Sequence, residues 1–270
     1  MKLIFGKSKW EMWDDPLEAF LERVKTSGFE ATEIYLGSLR ESPSEIARLH
    51  ASYGLRLIGQ ILTQGQTYLD HIRSLESQFE FAAQCEVTFV NSHAGRDIFA
   101  FEENVQIFER IIEMSQTSGI RILVETHRGR PTYSAIETRK YLEALPKLRL
   151  TADVSHWMVV HESGLDDQLA NIELAIRRAD YIHARVGYAE GPQIPDPRAP
   201  EWEYAVTRHL QLWQEIIDQQ KRDGKENLYL TPEFGPPDYM HTAPFTKQPA
   251  GDVWEQNVYM KNLLANRLEL

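Results

Sequence analysis

Cysteine is nearly missing from this 270-residue chain, where Cys85 stands alone. One thiol excludes an intrachain disulfide framework and disfavours soft-metal chemistry. It fits a reducing compartment, so a cytoplasmic location is expected. Long apolar runs are missing too. No stretch approaches the ~20 residues that a membrane-crossing helix needs, and the mean hydropathy is −0.43. The start, MKLIFGKSKW, has too few consecutive apolar residues before Gly6 for the core of a secretion signal. No membrane partner is expected. Positive charge is scarce: 29 Lys and Arg face 40 Asp and Glu, for a net charge of −11. A protein that grips a phosphate backbone is normally basic, so nucleic acid is not the expected partner. The G-x-G-x-x-G turn of a dinucleotide-binding sheet is also absent after the first strand signal.

What is present is a regular alternation of strand and helix signals. Lys2–Phe5, Ala31–Leu36, Leu55–Leu62 and Val87–Ser92 read as strands, as do Arg121–Thr126, Leu148–Val154, Tyr181–Val186 and Leu228–Phe234. Helical spacing fills Asp14–Thr26, Ser42–Gly54, Thr67–Gln84 and Phe101–Ser118, then Tyr133–Leu145, Leu165–Ala179, Glu203–Arg222 and Val253–Leu268. The helix ends are marked. Ser42-Pro-Ser-Glu45 is a capping box, and Gly28, Gly54 and Gly119 are stops. Eight successive strand–helix units predict a parallel sheet closed into a (β/α)8 barrel, as one domain over residues 1–270. An open doubly wound sheet is the alternative. His50, His71 and His209 fall on helices and are expected on the solvent side.

In such a barrel the C-terminal ends of the strands build the active site. There LTADVSH (150–156), ILVETH (122–127), YIHARVG (181–187) and LYLTPEFG (228–235) each deliver a ligand-type residue: Asp153, Glu125, His183 and Glu233. Alternation along a strand puts Leu123, Glu125 and His127 on one face, Thr151 with Asp153, Tyr181 with His183 and Arg185, and Thr231 with Glu233. Three carboxylates and an imidazole in one cup would repel without a cation. Their oxygen and nitrogen donors suit one Mn²⁺, Mg²⁺, Co²⁺ or Zn²⁺.

VETH (124–127), ADVSHW (152–157), HARVG (183–187) and TPEFG (231–235) carry a resemblance that extends over nearly the whole chain. The sequence resembles the xylose isomerase-like TIM-barrel superfamily, and within it the sugar isomerase/epimerase group that includes ketose 3-epimerases. The resemblance implies that Glu125, Asp153, His183 and Glu233 bind one divalent cation, and that Glu125 and Glu233 are the acid/base pair. It implies that His156 contacts the substrate or a second metal. Where those epimerases commonly carry another glutamate, this chain has Pro131, and Arg185 follows His183 more closely than their substrate arginine does. The superfamily also holds lyases of cyclic polyols and of dehydroshikimate. Its zinc endonucleases use extra histidines, which His93, His156 and Asp196 match in part, while Gln60 and Arg198 stand where others are expected.

Further expectations concern the pocket. His93 shares the inward face of its strand with Asn91 and reads as a bonded core histidine or a substrate contact. Arg128 and Arg130, with Arg96, read as loop charges or as binders of an acidic or polyhydroxylated substrate. Trp10, Trp13, Trp157 and Tyr188 could cover sugar C–H surfaces, or simply pack. The loop Gly187–Pro200, with its four prolines, is expected to cover the pocket and bring Asp196 and Arg198 to the substrate. The reading that results is a metal-dependent sugar isomerase or epimerase, possible as a homo-oligomer. A lyase, a phosphodiesterase or nuclease and a non-catalytic sugar binder are its rivals.

Overall fold

Alternation is strict in Phe89–His93, where Phe89, Asn91 and His93 face one way and Val90 and Ser92 the other, with all five buried. A strand buried on both sides belongs in a sheet covered by helices. The computed structural model, which describes residues 1–269, closes that sheet completely. Strands β1 (Lys2–Ser8), β2 (Ala31–Tyr35), β3 (Arg56–Leu62), β4 (Phe89–His93), β5 (Ile122–Glu125), β6 (Leu150–Ala152), β7 (Ala179–His183) and β8 (Asn227–Thr231) pair in sequence order. All are parallel, and β8 closes on β1.

Around them run α1 (Leu17–Thr26), α2 (Pro43–Tyr53), α3 (Tyr68–Gln84), α4 (Phe101–Ser118) and α5 (Ala135–Ala144), followed by α6 (Ser155–His161), α7 (Leu169–Arg178), α8 (Glu203–Arg222) and α9 (Val253–Arg267). The expected boundaries of α4 and α8 hold to the residue. Ser42 accepts from the Glu45 amide at the start of α2, and Gly54 ends it in the left-handed conformation at φ 63°. Helix α6 was not foreseen. Its seven residues are too few, and too apolar, for a helical period to stand out. It shortens β6, so Asp153 lies in the turn beyond the strand rather than on it.

The barrel interior has two kinds of layer. Ile4, Ala31, Ile58, Phe89, Leu123, Tyr181 and Tyr229 form an apolar plug. Two residues further along four of those strands come Glu33, Asn91, Glu125 and His183, all buried and polar. Gly6 lets β1 approach β8, since a Cβ there would collide with Thr231 Oγ1. The larger core lies outside the barrel, between the sheet and the helices. Contrary to expectation, His50, His71 and His209 belong to that buried side. Each is neutralised by position rather than by charge: His209 Nδ1 donates to the Ala205 carbonyl and Nε2 accepts from the Gly187 amide.

Candidate active site

The polar layer opens at the C-terminal ends of the strands into a cavity of about 400 Å³. Glu33, His93, Glu125, His127, Arg185 and Glu233 form its base, and Trp10, Trp13, Tyr35 and Tyr239 its aromatic wall. Glu125, Asp153, His183 and Glu233, the four residues singled out by parity, each place a donor atom within 4.8 Å of the others, and all four are buried.

Two arms hold that cluster. On one side Asn91 Nδ2 donates to Glu125 Oε2 at 2.6 Å, and His93 Nε2 lies 2.6 Å from the same oxygen. Burial alone would raise the Glu125 carboxyl, but His93 and His183 outweigh it and hold it well below the usual carboxylate range. On the other side the Arg185 guanidinium donates to Asp153 Oδ2 at 2.6 Å and to Glu233 Oε2 at 2.9 Å. Asp153 Oδ1 takes the Ser155 amide at 3.0 Å, a turn made possible by the start of α6. Between the arms stands His183, whose Nδ1 lies 2.9 Å from Glu233 Oε2. Burial would lower its pKa; the carboxylates of Glu233, Glu33 and Glu125 outweigh that and raise it well above the usual histidine range.

The donors fit a dication. Glu125 Oε1 and His183 Nδ1 are buried without a hydrogen-bond partner, and leaving such atoms unpaired is costly. Four buried carboxylates, those of Glu33, Glu125, Asp153 and Glu233, meet one guanidinium, that of Arg185, and the imidazoles of His93 and His183. Oxygen and nitrogen donors without sulfur suit Mg²⁺, Mn²⁺, Co²⁺ or Zn²⁺.

The other expected contacts divide. His93, Arg130, Trp10 and Trp13 line the cavity. His156 does not: it is fully buried, with Nδ1 accepting from Arg128 Nε at 3.0 Å and its ring 4.0 Å from that of His127. Burial, then His127 and Arg185, keep it neutral, far below the usual histidine range. Arg128 therefore serves His156 and leaves the cavity wall. Trp157 is buried outside the barrel and donates to the Thr132 carbonyl at 2.9 Å, so it packs rather than covers a sugar. Tyr188 packs on Trp202, with ring centroids 4.7 Å apart. The loop 187–200 contributes nothing to the cavity wall. Asp196 and Arg198 pair with each other at 2.6 Å beside Glu255 of α9. Their prolines and charges brace the loop against that helix.

What covers the cavity instead is the segment after β8. Tyr239 packs 5.0 Å from Trp10 and 4.4 Å over the Arg185 guanidinium, a cation–π arrangement. Neither Tyr239 nor Glu33 was foreseen. For Glu33 the signal was present: a charged residue in the apolar strand ATEIY, with the parity of Ala31. Tyr239 sits in an irregular loop, where no periodicity points to a contact.

A family model described as a xylose isomerase-like TIM barrel matches residues 21–218. Among solved structures, a D-allulose 3-epimerase from Methylomonas sp. in complex with D-allulose superposes with a TM-score of 0.70 at 14% identity, over 98% of this chain and 97% of that one. The probable 3-DHS dehydratase of Bacillus anthracis gives 0.64 at 16% identity, over 98% and 99%. A family 2 AP endonuclease from Brucella melitensis gives 0.65 at 12%, over 97% and 98%. At such identities the likeness shows the fold. No curated protein matches the sequence.

Proposed function

Because the chain belongs to the xylose isomerase-like TIM-barrel family, we propose that it is a divalent-metal-dependent sugar isomerase or epimerase, with Glu125 and Glu233 as its proton-transfer groups. One observation carries this reading. Glu125 and Glu233 line the cavity, whereas Asp153 and His183 are fully buried behind it. All four can contribute to holding a cation, but only the glutamates can also meet a substrate. A cation held there would polarise the carbonyl of an α-hydroxycarbonyl sugar and acidify the neighbouring C–H.

One glutamate then removes that proton, giving an enediolate, and the other returns a proton to the opposite face or the next carbon. Their strands, β5 and β8, lie three apart around the ring, so the two carboxylates approach from different sides. The His93 and Asn91 contacts to Glu125 Oε2 leave Oε1 without a partner. The aromatic wall of Trp10, Trp13 and Tyr239 suits the C–H faces of a sugar ring.

The same proton removal would begin the elimination carried out by a lyase. The endonuclease reading is weaker, because Asp196 and Arg198 are turned to α9, away from His156 and the cavity. The test is a screen of ketoses, inososes and 3-keto sugars with metal-loaded protein in D₂O, read by proton NMR. Isomerised product with deuterium at the changed carbon is expected. Dehydrated product would assign the lyase. Cleavage of abasic DNA with all sugars untouched would overturn the proposal.

A further inference from the structure

Glu33 lies at the floor of the site, 1% exposed, on a strand that supplies none of the four clustered donors. Three side chains from two other strands, Asn91 of β4 with Tyr181 and His183 of β7, converge on its carboxylate. Asn91 Nδ2 donates to Oε1 at 2.9 Å, and Tyr181 Oη donates to Oε2 at 3.0 Å. His183 Nε2 lies 3.1 Å from Oε1 and 2.9 Å from Oε2, placed to share its proton between them. The opposite ring nitrogen, Nδ1, is the buried atom without a hydrogen-bond partner, and it faces Glu125 and Glu233.

An imidazole that binds a cation has given up one of its two ring protons and keeps the other. A carboxylate at Nε2 holds that proton there and leaves the Nδ1 lone pair directed at the cluster. We infer that Glu33 is a positioning residue. It fixes the tautomer and ring orientation of His183, so that Nδ1 is the nitrogen offered to a cation. Through Asn91 it does the same for Glu125, since the Asn91 amide bridges Glu33 Oε1 and Glu125 Oε2. This rests on the proposed cation site and adds a residue that the four-donor set leaves out.

The carboxylate charge, and not only the shape, is required for this. A glutamine at position 33 could keep its oxygen on Asn91 and His183 Nε2 and turn its nitrogen to Tyr181 Oη, which has Thr231 Oγ1 as another acceptor. The negative charge and the second oxygen, 2.9 Å from Nε2, are then lost, and with them the charge-assisted hold on the Nε2–H tautomer. A residue that only filled the barrel floor would not tie metal affinity to its charge, because Gln and Glu have nearly the same shape.

The experiment is isothermal titration of wild type and Glu33→Gln with Mn²⁺ and Zn²⁺, with far-UV circular dichroism to confirm the fold. A ~10–100-fold weaker Kd in Glu33→Gln is expected, the cost typical of losing the partner of a ligating histidine. Equal Kd values in the two proteins would overturn the role of Glu33 while leaving the cation site intact. No binding by wild type would overturn both. If Glu33→Gln does not fold, nitrogen NMR of zinc-loaded wild type decides. A His183 proton on Nε2 with the metal on Nδ1 supports the inference, and the reverse assignment removes it.

Discussion

Arg185 donates to Asp153 at 2.6 Å, and both side chains are buried. This ion pair lies at the centre of the site, not at its edge, because the same nitrogen reaches Glu233 at 2.9 Å. The guanidinium therefore pairs with two of the four clustered donors and offsets one of their two negative charges. Its charge is secure: burial would weaken it, but Asp153 and Glu233 outweigh burial and raise its pKa.

Removing one partner of a buried pair costs about 3–5 kcal/mol, since the other charge is left uncompensated. Arg185→Met is expected to lose about that much stability in metal-free protein. Excess Mn²⁺ should restore more of it than the same addition gives wild type, because a bound ligand stabilises the folded state. Urea unfolding with and without Mn²⁺ measures both. An equal gain in both proteins would mean that Arg185 and the cation do not share these carboxylates.

Glu125→Gln and Glu233→Gln keep the shape and one oxygen donor while removing the base. Each is expected to lose ~10²–10⁴-fold in kcat on the substrate found by screening, with metal still detectable by elemental analysis. Wild-type kcat in either variant would remove that residue from proton transfer.

His183→Ala and Asp153→Ala should lose bound metal, while Arg128→Ala should keep it. Arg128 contacts His156, a fully buried neighbour of the cluster, and the Tyr239 ring, and none of the four clustered donors. Plasma emission analysis of the purified proteins, after equal metal loading, separates the cases. Unchanged metal content in both His183→Ala and Asp153→Ala would remove the proposed site.

The double substitution Asp196→Ala, Arg198→Ala should leave kcat and KM unchanged, since that pair is bound to itself and to α9. Tyr239→Ala should raise KM, since it removes the ring over Arg185 and opens the wall against Trp10. Steady-state kinetics decide both. A raised KM in the double variant would bring the loop back into the pocket.

His209 gives the pH dependence. Burial pushes its pKa from 6.5 down to about 4, against a small opposing effect from the Ala205 carbonyl. Its folded value is depressed, so the unfolded chain binds the extra proton first. The contribution to stability is full above about pH 6.5 and is lost as pH falls toward 4, on the order of 3 kcal/mol in all. His209→Gln should flatten the fall in unfolding free energy across that window, measured by urea denaturation at several pH values. An unchanged slope would show that other groups carry it.

Strand and helix periodicity sufficed for the barrel and for the parity of its four clustered donors. Both are local properties. Alternation of Cβ along a strand is fixed by chain geometry, so Glu125 with His127, and His183 with Arg185, could be assigned to one face from four or five residues of context. Strand ends placed Glu125, Asp153, His183 and Glu233 at one rim as soon as eight units implied closure. Which side chains meet depends on the closed fold. Glu33 and His183 are 150 residues apart, and their meeting depends on closure, strand tilt and register, none of which a single strand encodes. The histidines of α2, α3 and α8 could not be told from solvent-side ones, because a satisfied buried imidazole needs its partners, Thr32 for His50, Thr63 for His71 and Gly187 for His209. The loop 187–200 misled for the same reason. Length and prolines describe its stiffness, but its direction is set by Gln256 and Glu255 on α9, reached from Pro195 and Arg198.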